Sequence, residues 1–337
     1  MKWLTVNCTE ELPKQWDQLA GENIFLKRRF LQHLETVNPC QQTYNMLLET
    51  DQLKAAYVDY RLKPDIFTYS IFTLKIPVTI MGIPCSVAKE GFSVCSGYEK
   101  FVLAHFQAKK GAKLILNSAL GLPAKGGNTL PSCKMEVLWS SFNQYLESLR
   151  SPYRYRIKKA KKKWQDVKVD YIKPHAFDRD YYQLYEEVYL NSHAKLEKLN
   201  FEFFQQQPLP SIIIIATHKE QKLGFAQVVD NGRELIFLFI GFSHKLNSTF
   251  DIYLNLLLEI IDFAIDNRFK TIDLGQTAEE TKLKLGSELF TKGMYISHSN
   301  FLLDKLANQY INLFSYQIPI YDFRVFKMGE TDENFTS

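Results

Sequence analysis

The stretch 234–286 leaves the fewest folds open to this chain. Leu235-Ile236-Phe237-Leu238-Phe239-Ile240 is too short and too rich in Ile and Phe for a helix, and so continuous an apolar run is usual for a strand covered on both faces. A long apolar helix is expected over 250–266, a second strand over 271–274, and then a short charged helix that stops at Gly286. Ser248 with Asp251, and Thr277 with Glu280, stand at capping-box spacing. Asp251, Asn255, Glu259, Asp262 and Asp266 recur at helical intervals, which predicts a narrow stripe facing water. Two strands joined by such a helix form a right-handed crossover with the strands parallel.

At 337 residues the chain exceeds what one core usually serves, and 46% apolar content supplies two. A net charge of +4 is too small to imply nucleic acid by itself, so the placement of charge matters more than its sum. Five cysteines without metal-ligand or redox spacing point to a reducing cytoplasm and to no bound metal. The opening residues contain no signal-peptide apolar core, and every apolar run is interrupted well short of the about 18 residues of a transmembrane helix.

The remaining elements follow from the same signals. An opening strand through Val6 precedes a helix over 24–37 that Asn38-Pro39 ends. A hairpin of strands 43–49 and 53–60 turns at Asp51-Gln52, followed by strand 76–81, helix 98–110 with Gly111 as its stop, and strands 112–117 and 134–139. Ser141 and Gln144 cap a helix over 142–149, and Ser151-Pro152 opens another. Beyond it come strand 167–172, helices 180–190 and 201–206, and a meander of strands 212–217, 223–229 and 235–242 with Asn231-Gly232 at a tight turn. A helix near 302–314 and a strand near 321–326 close the order.

Helix 151–164 is the basic segment. Tyr153, Ile157, Ala160 and Trp164 share one face, and seven cations (Arg154, Arg156, Lys158, Lys159, Lys161, Lys162 and Lys163) cover the rest. A solvated amphipathic helix accounts for such a run. An anion site accounts for it too, because like charges this close repel and an anionic partner relieves the penalty.

Strand, two helices, three antiparallel strands, helix, parallel strand, helix, strand is the element order of the GNAT acyltransferase superfamily. The first half repeats it loosely, with helix 98–110 and strand 112–117 corresponding to helix 250–266 and strand 270–274. The chain resembles the FemABX peptidyltransferases and their GNAT-like relatives of peptidoglycan biosynthesis. The residues that carry the resemblance are Tyr145-Leu146-Glu147-Ser148-Leu149 leading into Arg154-Tyr155-Arg156-Ile157-Lys158-Lys159-Ala160, and Asp273-Leu274-Gly275-Gln276-Thr277 leading into Lys282-Leu283-Lys284-Leu285-Gly286. It implies an α/β fold of two tandem GNAT-like domains, each a mixed sheet flanked by helices. The first spans 1–150, the second spans 151–327 and includes the basic linker helix, and a flexible tail follows over 328–337.

The resemblance also implies transfer of an acyl or aminoacyl group to an amine, with acyl-CoA, an acyl carrier protein or an aminoacyl-tRNA as activated donor and a small molecule or cell-wall precursor as acceptor. The turn that would hold a CoA pyrophosphate, 243–248, contains no glycine, which favours a carrier protein or tRNA and leaves phosphate attraction to Lys245 and the helix start. The alternative is a non-catalytic module that binds an anionic ligand or nucleic acid through Arg154, Arg156 and Lys158. The candidates for chemistry are Lys282, Asp251, Tyr253 and His193. Asp251 also reads as a cap and Tyr253 as packing. Gln276 and Thr277, just past a strand end, with Asp273 and Tyr189, are the candidate substrate binders.

Overall fold

The computed structural model describes all residues except 68–72, 120, 193–194 and 328–337. His193 and the tail expected from residue 328 therefore lie outside the described residues. Packing divides the chain into two units. One comprises Met1–Pro131, His193–Phe203 and Thr291–Ile318, and the other comprises Ser132–Ser192, Phe204–Phe290 and Pro319–Ser337.

The first unit is built on β1 (Lys2–Val6), β2 (Thr43–Glu49), β3 (Gln52–Leu62), β4 (Val78–Met81), β5 (Phe92–Val94) and β6 (Ala112–Ser118). The strands β1 to β4 run antiparallel in that order, β5 pairs with another stretch of β3, and β6 lies parallel to β4. The β2–β3 hairpin turns at Thr50 and Asp51, both at positive φ, one residue earlier than the sequence suggested. Three helices, α1 (Gln15–Ala20), α2 (Arg28–Val37) and α3 (Glu99–Gln107), cover this sheet, and Gly111 at φ +84° follows α3 as expected of a stop signal. A strand with no clear sequence signal, Glu288–His298, runs from one unit into the other. From Gly293 to His298 it pairs antiparallel with β6.

The second unit is organised on β7 (Gly127–Glu136, from Ser132 on), β8 (Lys168–Ile172), β9 (Ser211–His218), β10 (Gln221–Asn231), β11 (Glu234–Phe242) and β12 (Thr271–Asp273). The order is β7-β12-β11-β10-β9-β8, antiparallel throughout except that β11 and β12 are parallel. The helices are α4 (Phe142–Ser148), α5 (Ser151–Lys163), α6 (Arg179–Asn191), α7 (His244–Phe250), α8 (Ile252–Asp266) and α9 (Glu279–Leu283). Helix α8 makes the crossover from β11 to β12, and its Leu256, Leu257, Ile260 and Ile261 are fully buried in the core of this unit. Each unit thus contains a helix leading into a strand that lies parallel to an earlier one, the arrangement expected of tandem GNAT-like halves.

Five sequence expectations give way to the structure. The helix expected over 250–266 starts at Ile252, set off from a separate short helix that ends at Phe250, because Asp251 adopts the left-handed conformation (φ 48°, ψ 46°) that an aspartate tolerates better than most residues. Ser248 does not cap the second of them; the Asn247 side chain accepts the Tyr253 amide at 3.0 Å instead. Thr277 and Ala278 are likewise left-handed, so α9 starts at Glu279 without a threonine cap. Residues 321–326 form no strand beyond a single bridge, Leu149 to Phe326, since this segment runs along a helix end and not along an open strand. The strand read over 134–139 ends at Glu136. By contrast, the Gln144 amide donates to Ser141 Oγ at 3.3 Å, as the capping spacing requires.

The middle of the polar stripe of α8, Asn255 and Glu259, is buried, while Asp266 at its end is exposed as expected. Asn255 is 0% exposed and donates to the carbonyl oxygens of Ala160 and Phe250. Lys161 reaches Glu259 at 2.9 Å, and Lys163 reaches Asp251 at 3.1 Å. Helix α5 lies on that stripe, with Ile157, Ala160 and Trp164 buried in the same core. Two of the seven cations thus neutralise carboxylates of a neighbouring helix.

Candidate functional site

Strands β11 and β12 stay in register for three pairs only, ending at Ile236 and Asp273, while β11 continues to Phe242. Beyond Asp273 the chain turns away: Leu274 donates to the Cys133 carbonyl, Cys133 donates to the Gly275 carbonyl, and Gly275 sits at φ +67°. Strand β11 also carries an extra residue, Leu238, where its pairing with β10 shifts between Gln227 and Val228. The parallel pair therefore parts at its C-terminal end, where open α/β sheets bind ligands.

Lys282 occupies this parting. It is 1% exposed, its ammonium donates to the Gln276 carbonyl at 2.7 Å and to the Gly275 carbonyl at 3.4 Å, and Phe237 of β11 lies 5.8 Å from it. Burial lowers its pKa to about 8, against the opposing pull of Cys133, Glu279 and Asp273. Cys133 is buried and its thiol is pushed up to about 11 by the same loss of water. Glu279, one turn before Lys282 on α9, is buried with Oε1 lacking a hydrogen-bond partner. Asp273 accepts the Gly275 amide at 2.9 Å and faces Lys134 at 3.8 Å, so its carboxylate shapes the turn.

A cavity of about 390 Å³ is lined by Arg156, Lys159, Lys163, Asn247, Asp251, Tyr253, Leu254 and Thr281. Tyr253 connects it to the buried group: burial, with the electrostatic influence of Cys133 and Glu279 beside it, holds its pKa well above the ordinary value, so it stays protonated. The cationic side of the cavity comes from one face of α5, since Arg156, Lys159 and Lys163 stand three and four residues apart.

The other sequence candidates fall as follows. Arg154 points at the carbonyls of Glu147 and Leu149, and Lys158 is exposed and does not line the cavity. Lys245 is exposed on α7. The residues read as a phosphate-binding turn are helical from His244 on, and the amide at that helix start is taken by Glu187, whose carboxylate accepts the His244 N–H at 2.9 Å. Gln276 meets Lys282 through its carbonyl, and Thr277 is in the left-handed turn before α9. Tyr189 packs at 6.2 Å against Tyr185 on α6. Thr281 and Glu279 were not singled out from the sequence, and Lys163 was named only as one cation of the basic helix. The three- and four-residue spacing of Lys163 from Lys159 and Arg156, and of Glu279 from Lys282, was the signal that could have found Lys163 and Glu279.

No protein-family model matches the chain, and no curated protein matches it. Among solved structures, L-PGS from Bacillus licheniformis aligns over 88% of this chain and 96% of its own with a TM-score of 0.52 at 11% identity. FemX aligns over 79% and 90% with a TM-score of 0.49 at 10% identity. A tandem GNAT protein from the clavulanic acid biosynthesis pathway aligns over 89% and 98% with a TM-score of 0.46 at 9% identity. At such identities the likeness is one of fold, and the first of the three carries it. This chain shares its fold with L-PGS over most of its length, and its own packing divides that fold into two α/β units.

Proposed function

We propose that the second unit transfers an acyl or aminoacyl group from an activated ester or thioester to an amine where β11 and β12 part. The observation that carries this reading is Lys282, a fully buried amine with a pKa lowered to about 8 and an ammonium anchored on two backbone carbonyls. Two of its three N–H groups are engaged, which leaves one to donate. The acceptor nitrogen attacks the carbonyl carbon, a C–N bond forms, and the C–O or C–S bond to the leaving group breaks. Lys282 gives its proton to the departing oxygen or sulfur and regains one from the acceptor nitrogen, so protons balance over the cycle. Tyr253, held protonated, is the candidate hydrogen-bond donor to the developing oxyanion.

The donor in this reading is a polyanion, an aminoacyl-tRNA or a carrier protein, whose phosphate meets Arg156 and Lys159 in the cavity, Lys163 being held by Asp251. Glu187 at the start of α7 argues against CoA pyrophosphate at that helix end, since its carboxylate already uses the amide. The acceptor is an amine of a small molecule or cell-wall precursor. A second reading, a non-catalytic module, draws on the same cationic cavity, which binds an anion without any chemistry.

Mass spectrometry of small molecules and RNA that copurify with the protein identifies the donor. Transfer from that donor to a panel of amines is then measured for wild type and Lys282→Met. Loss of at least about tenfold in transfer, roughly 1.4 kcal/mol of transition-state stabilisation, is expected with donor affinity retained. Equal transfer by both proteins overturns the role of Lys282. Donor binding without transfer to any amine supports the module.

A further inference from the structure

Glu279 is the first residue of α9 and stands one turn before Lys282, on the same face of the helix. It is 7% exposed, and its Oε1 is buried with no hydrogen-bond partner among the described residues. An ionised carboxylate only accepts, so a buried oxygen left without a donor carries a cost that the chain itself does not offset. Lys282 does not relieve it, because that ammonium donates to the carbonyls of Gly275 and Gln276. A carboxylate in a first helical turn also complements the helix dipole. That role is met in water or by accepting helix amides, and no amide of α9 reaches Oε1.

The groups around this carboxylate are those of the transfer site. Its charge acts on Lys282, Cys133, Tyr253 and Tyr321. Tyr253 also lines the cavity that Arg156 and Lys159 make cationic, so it adjoins both signs of charge. A phosphate is drawn to the side of α5 and repelled from Glu279, and a small cation is drawn the opposite way. What Oε1 lacks is a donor, and a charged donor bonds a carboxylate roughly twice as strongly as a neutral one. A nitrogen seated on Glu279 lies one helical turn from Lys282, beside the amine that protonates the leaving group in the reading above.

We infer that Glu279 receives the acceptor, and that the acceptor is a primary alkylamine entering as its ammonium ion, not an alcohol. The inference rests on the transfer reading and names the acceptor class of that same site. Saturation-transfer NMR on the full chain near neutral pH measures binding of n-butylammonium chloride and of n-butanol, with sodium chloride holding the ionic strength constant. Wild type is expected to bind the ammonium at least about tenfold more tightly than the alcohol, and Glu279→Gln to lose about tenfold in ammonium affinity with the alcohol unchanged. Lys282→Met should still bind the ammonium, since Lys282 makes no bond to Oε1. Glutamine keeps the shape of the side chain and removes a buried charge, so the variant should melt no lower than wild type; if it fails to fold, the ratio of the two probes on wild type decides. Equal affinity of wild type for both probes, or equal ammonium affinity in wild type and Glu279→Gln, overturns the inference. Amine transfer by Glu279→Gln with an unchanged KM overturns it too and leaves the transfer reading standing. Ammonium binding that depends on Glu279 in a chain that transfers to no amine supports the cation site and overturns the transfer reading instead.

Discussion

Replacing Lys161 by Met separates the structural cations of α5 from its binding cations. The ammonium lies 2.9 Å from Glu259 Oε1, with the lysine side chain 35% exposed and the glutamate side chain 9% exposed. Removing one partner of a fully buried pair costs about 3–5 kcal/mol, whereas an exposed pair is worth about 0–1 kcal/mol. Lys161 is wetted and Glu259 is not, so we place the loss near 2 kcal/mol, between those limits. Lys161 also lies 5.4 Å from the Phe142 ring, which adds about 0.5 kcal/mol at a wetted site. Met keeps the stem, so packing against α8 persists.

For a unit of this size, about 2 kcal/mol lowers the melting temperature by roughly 4–8 °C. The assay is thermal and urea unfolding of wild type, Lys161→Met, Glu259→Gln and the double variant. The cycle should return a coupling of about 1 kcal/mol or more, and Lys158→Gln, made at an exposed position of the same helix, should leave stability within about 0.5 kcal/mol of wild type. A Lys161→Met protein as stable as wild type, or a cycle with no coupling, refutes the idea that α5 is held by ion pairs to α8.

Three further outcomes follow from the structure. Arg156→Gln/Lys159→Gln should weaken binding of tRNA, used as a polyanion probe in filter binding, and reduce the salt dependence by roughly two charges with little change in stability. Gly241→Ala should destabilise by about 2–4 kcal/mol in urea unfolding, because a Cβ there would lie 2.5 Å from the Tyr185 amide nitrogen and 2.4 Å from the Phe225 ring. Lys282 binds its proton less tightly in the folded state, about 8 against roughly 10.4 unfolded, so the unfolded chain holds more protons between these values and stability should rise with pH across that window; unfolding measured from pH 7 to 10 should show this slope in wild type and lose it in Lys282→Met.

The fold was legible where one signal dominated. The meander β9-β10-β11, the crossover through α8 and the parallel strand β12 follow from apolar runs, turn pairs and a long helix period, and these are local. Strand Glu288–His298 was not legible, because its side chains alternate weakly between buried and exposed and both Gly293 and Lys292 dilute the pattern. The two misread caps share a cause. Ser248 with Asp251 and Thr277 with Glu280 have the spacing of a capping box, but spacing says nothing of φ, and in both places the backbone passes through left-handed residues before the helix begins.

The site illustrates a different limit. A cation on a short charged helix reads as a solvated residue or as one that complements the helix dipole, and only tertiary placement makes Lys282 something else: β11 and β12 must part, Cys133 must close the turn through Gly275, and Phe237 must cover the amine. None of those partners lies within a helical turn of it in sequence. The same reasoning explains why the basic helix was read as one undivided surface. Its charges look equivalent along the chain, yet the carboxylates that distinguish Lys161 and Lys163 from Lys158 and Lys159 stand about ninety residues later, on the stripe of α8 that periodicity alone assigned to water. An apolar helix with a regular polar stripe, in a chain that also contains a cationic helix with a regular apolar stripe, is better expected to bury that stripe against the cations than to expose it.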